Sequence, residues 1–173
     1  MHKDYPSLNG NYAAFGTVTS GMEVVDAGEG WVAPGFVDTH IHGFVGHDVM
    51  DCDAAGVSAI CRALARTGTT SWLPTTLTAS FEDTRLACAS VAEAARTGDG
   101  ARIQGIFLEG PFFTEKHKGA QNPKYLCDPN LEWLDAWQEA AQGLIRKSAL
   151  APERFGTAAY IAGCLERGIV AAL

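Results

Sequence analysis

An α/β fold built on a parallel sheet is what this sequence predicts, and three observations predict it. From residue 35 onward, strand-like runs alternate with helix-like segments, which is the pattern of βαβ units. The helix-like segments carry apolar residues at helical spacing and stop at glycines, Gly68 after the first and Gly98 with Gly100 after the second. The last run, Ile169-Val-Ala-Ala-Leu173, is continuously apolar, as a parallel strand buried on both faces would be. About four and a half βα units can be counted in this way.

Taken in order, residues 1–33 differ from the rest. Asn11 to Val18 and Met22 to Asp26 alternate apolar and small residues around Gly21, which predicts short antiparallel strands and the remnant of a small β-sandwich domain. Residues 34–173 then hold the βα units. Strand one, Phe36 to Ile41, follows the turn signal Pro34-Gly35 and stops before Gly43. The first helix, Ala54 to Arg66, has Val57, Ile60, Cys61 and Leu64 on one face, with Asp53 as its cap. Strand two, Thr69 to Thr78, is rich in threonine around Trp72 and Leu73. Ser80, followed by Glu82 and Asp83, opens a helix that runs to about Arg96.

Strand three, Ile103 to Leu108, delivers Glu109 and Gly110-Pro111 at its tip. A polar loop then extends to about Asn130, and a loop of that length is usually functional or disordered. Helix three, Leu131 to Gln142, places Trp133 and Trp137 four apart and so on one face, where the outer side of a βα unit favours helix packing. Strand four is Leu144 to Leu150, Pro152 begins a turn, helix four covers about Thr157 to Arg167, and the apolar run to Leu173 closes the series. Eight such units closing a barrel need about 250 residues. The sequence therefore reads as roughly the first four to five units of a partial (β/α)8 TIM-type barrel, a fragment whose outer strands would leave backbone groups unpaired.

The sequence is 47% hydrophobic and 19% charged, enough to bury a core. A net charge of -7 and a pI near 5.1 argue against nucleic acid or an anionic membrane as partner, since either needs a basic face. No run approaches the ~18 apolar residues of a membrane span, and Met1 to Pro6 has no apolar signal core, so a cytoplasmic location is expected. Five cysteines, at 52, 61, 88, 127 and 164, are odd in number and contain no Cys-X-X-Cys, so reduced and mostly buried thiols are expected.

The chemistry begins with His40 and His42. Two residues apart on a strand, they share a face with Cα atoms roughly 6.6 Å apart, close enough for two ring nitrogens to reach one ion. They lie at the strand's C-terminal end, where α/β folds build active sites. Neutral imidazole is a common zinc ligand. The pattern is short, and two solvated or core histidines are its plain alternative.

The segments Pro34-Gly-Phe-Val-Asp-Thr-His-Ile-His-Gly43, Gly68-Thr-Thr, Leu73-Pro-Thr-Thr76, Leu108-Glu-Gly-Pro-Phe112, Lys118-Gly-Ala-Gln-Asn-Pro123 and Ala149-Leu-Ala-Pro-Glu153 stand in this order. From about residue 24 to the last, the sequence resembles the N-acetylglucosamine-6-phosphate deacetylase family of the metal-dependent amidohydrolase superfamily. The resemblance implies a (β/α)8 barrel with a small β domain, a homodimer, and hydrolysis of the acetamide of N-acetylglucosamine 6-phosphate to glucosamine 6-phosphate and acetate. It makes Glu109 a metal ligand, and a strand-tip carboxylate beside two imidazoles suits Zn first and Fe or Mn next. Glu109 as a capping or salt-bridged carboxylate is the alternative. Members that replace the histidine pair with amides use a single metal, so His40 and His42 favour two ions over one. A divalent ion activates water near neutral pH and polarises the amide carbonyl.

The resemblance also makes Ala120 and Gln121 substrate contacts. Many members carry histidine at the position of Gln121, whose amide donates a hydrogen bond but cannot ionise. Lys116, Lys118 and Lys124 are candidates to steer the phosphate against a default of solvated loop lysines, while His47 and His117 read as exposed loop histidines. The family's two further histidine ligands, and the aspartate that serves as general acid and base, are expected beyond residue 173, and the usual Gly-His-Thr after Val-Ala-Ala-Leu is missing. The isolated 173-residue chain is accordingly expected to be inactive. Two alternatives stand beside this. One is an amidohydrolase acting on a cyclic amide, which shares His-X-His but not the Glu-Gly-Pro and Gly-Ala-Gln-Asn-Pro segments. The other is a non-catalytic fragment or split-barrel half that binds metal or sugar phosphate.

Overall fold

The structure, a computed structural model, describes residues 33–173, so the strands expected at Asn11 to Val18 and Met22 to Asp26 in the small β domain of residues 1–33 lie outside the described residues. The strands are β1 Phe36–Ile41, β2 Gly43–Phe44, β3 His47–Asp48, β4 Thr69–Pro74, β5 Arg102–Ile103, β6 Ile106–Glu109, β7 Ile145–Ala149 and β8 Val170–Ala172. The main helices are α1 Ala54–Arg66, α2 Phe81–Ala95, α3 Leu131–Ala140 and α4 Thr157–Glu166. Strands β1, β4 and β5 pair in parallel in that order, as do β6, β7 and β8. A parallel bridge between Thr75 and Phe107 joins the two sets. The expected α/β architecture with a parallel sheet is what the described residues form.

Local signals explain where the helices begin. Asp53 accepts hydrogen bonds from the N–H groups of Ala55 and Gly56 at 3.0 and 3.1 Å, satisfying two donors that the first turn of α1 leaves without partners. Ser80 does the same for α2 through the N–H of Asp83, and Asn130 for α3 through that of Trp133. Asp53→Ala is expected to cost about 1 kcal/mol, read as a lower denaturation midpoint with an unchanged slope.

The core lies between the helices and the sheet. Trp72, Trp137, Ile106, Leu108, Ile145 and Tyr160 are all buried there. Trp137 donates its indole N–H to the Phe81 carbonyl at 3.0 Å and packs against Phe81, Phe112 and Trp133, so the tryptophans of α3 serve packing as their spacing predicts. All five cysteines are free, with Cys61, Cys88 and Cys164 buried. Burial pushes the Cys88 thiol up to about 12, which leaves it unreactive near neutral pH.

Several expectations are corrected. Strand three, expected over Ile103 to Leu108, is two strands, because the chain changes partner at Gly105. Gln104 donates its N–H to the Trp72 carbonyl on β4, whereas Ile106 donates to the Leu144 carbonyl beside β7. A Cβ at Gly105 would collide with the Arg146 side chain, so glycine is required at the crossing. Strand two ends at Pro74 instead of Thr78, since Thr76 already donates its N–H to the Phe107 carbonyl. His47, expected in an exposed loop, sits half-buried on β3 in a short antiparallel hairpin with β2. The closing run is not buried on both faces: Val170 is 61% and Leu173 76% exposed, because among the described residues β8 pairs with β7 alone. β1 is open in the same way, with Phe36 at 74%. No helix among the described residues is long and apolar enough to cross a membrane.

Candidate metal centre

The C-terminal ends of β1 and β6 bring the site together. β1 runs beside β4 in parallel, but its register slips between Asp38 and Ile41. In that slip the His40 N–H is taken by the Asp38 carboxylate at 3.0 Å instead of by β4. Pairing resumes at Ile41, whose N–H donates to Thr75 Oγ1 at 3.1 Å. His42 lies one residue past the strand, and its Nδ1 is 3.0 Å from the Thr75 carbonyl oxygen.

A carbonyl only accepts, so His42 Nδ1 carries the proton and Nε2 is left to face the site. That Nε2 is 2.9 Å from Glu109 Oε2, and His40 Nε2 is 2.8 Å from the same oxygen. The two imidazoles stand edge to face at 78°, with centroids 5.1 Å apart. One ligand atom from each of His40, His42 and Glu109 lies within 4.8 Å of the others. With Nδ1–H engaged, His42 Nε2 presents a lone pair to a carboxylate oxygen, an approach that a proton or a metal ion between them makes favourable, whereas His40 Nε2 meets the same oxygen at hydrogen-bond distance and offers its lone pair when its proton sits on Nδ1. A divalent cation bonded at about 2.0–2.2 Å to nitrogen and oxygen suits this donor set, so the residues present fit a metal ion.

Around these groups lies an open cleft of about 500 Å³, which His117, Lys118, Ala120 and Gln121 also line. Gln121 is buried at 6% exposure, and its Oε1 accepts the Thr78 N–H at 2.7 Å. Its carbonyl is thereby engaged, and the Nε2 donor remains for a ligand. At the foot of this loop, a Cβ on Gly110 would strike Thr78 Oγ1, so the chain after Glu109 must be glycine to pass Thr78. Of the three lysines weighed as phosphate-steering groups, Lys118 lines the cleft. Lys124 stands over the Tyr125 ring at 5.0 Å instead. His117 is exposed, as expected, but borders the cleft.

All five residues singled out from the sequence therefore meet at one opening. Sequence reasoning missed Thr75, Phe107 and Lys147. Thr75 fixes the His42 ring, Phe107 packs on His40 with centroids 5.2 Å apart, and the Lys147 ammonium lies 3.9 Å from the Phe107 centroid. Thr75 stood inside a noted segment, Leu73-Pro-Thr-Thr76, whereas nothing in the sequence marked the other two.

Comparison with known proteins gives this geometry its context. The amidohydrolase family matches residues 31–170. The chain belongs to the amidohydrolase family. Amidohydrolases are metal-dependent, and the cluster of His40, His42 and Glu109 is a donor set that a metal ion fits. The chain is 41% identical over 124 residues to an N-acetylglucosamine-6-phosphate deacetylase of Vibrio furnissii, covering 71% of this chain and 31% of that relative. It is 39% identical over 126 residues to an N-acetylgalactosamine-6-phosphate deacetylase of Escherichia coli O157:H7, covering 72% and 33%. Among solved structures it resembles the N-acetyl-D-glucosamine-6-phosphate deacetylase of Mycobacterium smegmatis with a TM-score of 0.72 at 35% identity, over 80% of this chain and 39% of that one. A mutant of that enzyme in complex with N-acetyl-D-glucosamine-6-phosphate gives a TM-score of 0.73. The chain thus spans about a third of the length of the curated relatives it matches.

Proposed function

We propose that this chain carries the first part of the active site of a metal-dependent deacetylase that hydrolyses the acetamide of N-acetylglucosamine 6-phosphate to glucosamine 6-phosphate and acetate. The convergence of His40 Nε2, His42 Nε2 and Glu109 Oε2 on one point is the observation that carries it. In this proposal those three side chains hold zinc, with iron or manganese as substitutes and one or two ions in the complete centre. A divalent cation bound there supplies activated water near neutral pH and polarises the amide carbonyl. Gln121, its Oε1 fixed by Thr78, offers its N–H to the acetamide carbonyl, and Ala120 lines the cleft beside it. Lys118, whose Nζ engages the Gly119 carbonyl at 3.2 Å, adds positive charge at the same opening.

The same proposal places the described βα units in a (β/α)8 barrel with a small β domain, in a homodimeric cytoplasmic enzyme. Five free thiols are consistent with that compartment. Among the described residues no carboxylate other than Glu109 lines the cleft, so the aspartate that the resemblance makes general acid and base is not among them.

The test is calorimetric titration of the chain with N-acetylglucosamine 6-phosphate, with and without zinc, beside an acetate assay. Zinc-dependent binding without acetate release is the expected result, with glucose 6-phosphate, which lacks the acetamide, binding more weakly. Acetate release would support the deacetylase assignment and overturn the expectation of an inactive chain. Equal binding of both sugar phosphates, or none, would contradict the assignment.

A further inference from the structure

The two histidines of the site are held by different means. His42 is oriented by a hydrogen bond, Nδ1–H to the Thr75 carbonyl at 3.0 Å, the kind of outer-shell contact that fixes tautomer and ring angle together. His40 Nδ1 has no hydrogen-bond partner among the described residues, and the His40 side chain is 49% exposed. Its polar contact is Nε2 to Glu109 Oε2 at 2.8 Å, and a ring held at one nitrogen alone still pivots about that contact.

Phe107 stands against it. The two rings meet edge to face at 72° with centroids 5.2 Å apart, a favoured geometry for a quadrupolar ring. Phe107 is itself immobilised. It is only 4% exposed, its backbone is tied to Thr76 at 3.0 Å, and its ring takes the Lys147 ammonium at 3.9 Å from the centroid. The sheet register explains why these groups coincide. Phe107 and Glu109 are two apart on β6 and share a face, while Lys147 is the partner of Phe107 on β7. One strand therefore delivers both the carboxylate and the surface that aligns the imidazole opposite it.

We infer that Phe107, clamped by Lys147, is a positioning residue for His40, giving that ring the fixed orientation that the Thr75 carbonyl gives His42. The inference rests on the metal-centre proposal above. Its role is to limit the rotation of His40 before a cation arrives, and Phe107 itself touches neither cation nor substrate.

The test is zinc affinity of the 173-residue chain by competition with a chromophoric chelator, together with the cobalt(II) absorption spectrum. Phe107→Leu is expected to weaken zinc binding about 5- to 10-fold, at or below the low end of what outer-shell substitutions cost, and to change the cobalt spectrum. In a His40→Ala background the same substitution is expected to change affinity less than twofold, because its route of action is gone. Should Phe107→Leu fail to fold by circular dichroism, Phe107→Met preserves more of the side-chain volume and takes its place in both comparisons. An unchanged affinity for the single variant, or an equal loss with and without His40, would overturn the inference by showing that Phe107 only fills space. A parent chain that binds zinc no better than His42→Ala would overturn the metal centre itself, and the inference with it.

Discussion

Glu109→Ala is expected to weaken zinc binding more than about 100-fold, beyond the 10- to 100-fold that loss of an outer-shell contact costs. Glu109 Oε2 is the one atom that both imidazoles face, at 2.8 and 2.9 Å, and among the described residues Glu109 supplies the sole anionic donor of the cluster. Removing it leaves two neutral nitrogens, and the charge that draws a divalent cation out of water is lost. Glu109→Gln separates shape from charge. The amide retains an oxygen at nearly the same place, so an intermediate loss is expected, whereas equal losses for Ala and Gln would show that charge alone decides. Chelator competition at fixed pH measures both, with the denaturation midpoint of the metal-free chain as control.

Trp137→Ala is expected to cost ~3–5 kcal/mol of stability, the range for a large buried aromatic. Trp137 is fully buried on α3, packed by Phe81, Phe112 and Trp133, and its N–H satisfies the Phe81 carbonyl at the start of α2. The substitution opens a cavity and removes the hydrogen bond that ties α3 to the first turn of α2, two losses of the same sign. Against a total of about 5–15 kcal/mol for a domain, this puts the variant near the edge of folding. Urea denaturation reads the effect. Trp133→Ala, at a half-buried position on the same face, should cost distinctly less, and equal costs would contradict the packing described.

Which features could be read from sequence follows from how local their causes are. The caps at Asp53 and Ser80 are side chain to backbone contacts two or three residues long, and α1 and β1 begin and end at the residues their patterns indicate. The break at Gly105 depends on which neighbouring strand is nearest, and the exposure of Val170 on whether another strand lies beside β8. Neither neighbour is encoded within the segment itself. The hairpin holding His47 escaped because strands of two residues have no period to detect.

The site divides the same way. His40 and His42 followed from a period of two, although the register slip between Asp38 and Ile41 means that the ideal strand geometry used to predict their convergence is not the geometry present. Glu109 came from the resemblance of Leu108-Glu-Gly-Pro to a known motif, since no spacing rule links it to His40, 69 positions earlier. The partners that orient the ligands, Thr75 for His42 and Phe107 with Lys147 for His40, are cross-strand neighbours that appear only when the sheet register is known. Gln121 was placed at the site by its motif, but its attachment to Thr78 across a 43-residue separation was not foreseeable.

Zinc-edge X-ray absorption of the loaded chain tests the central claim most directly. Two imidazole nitrogens and one or more oxygens at about 2.0–2.2 Å, with the imidazole multiple-scattering signal halved in His42→Ala, is the predicted spectrum. A sulfur shell at about 2.3 Å from the free cysteines, or a first shell of oxygen alone, would contradict it.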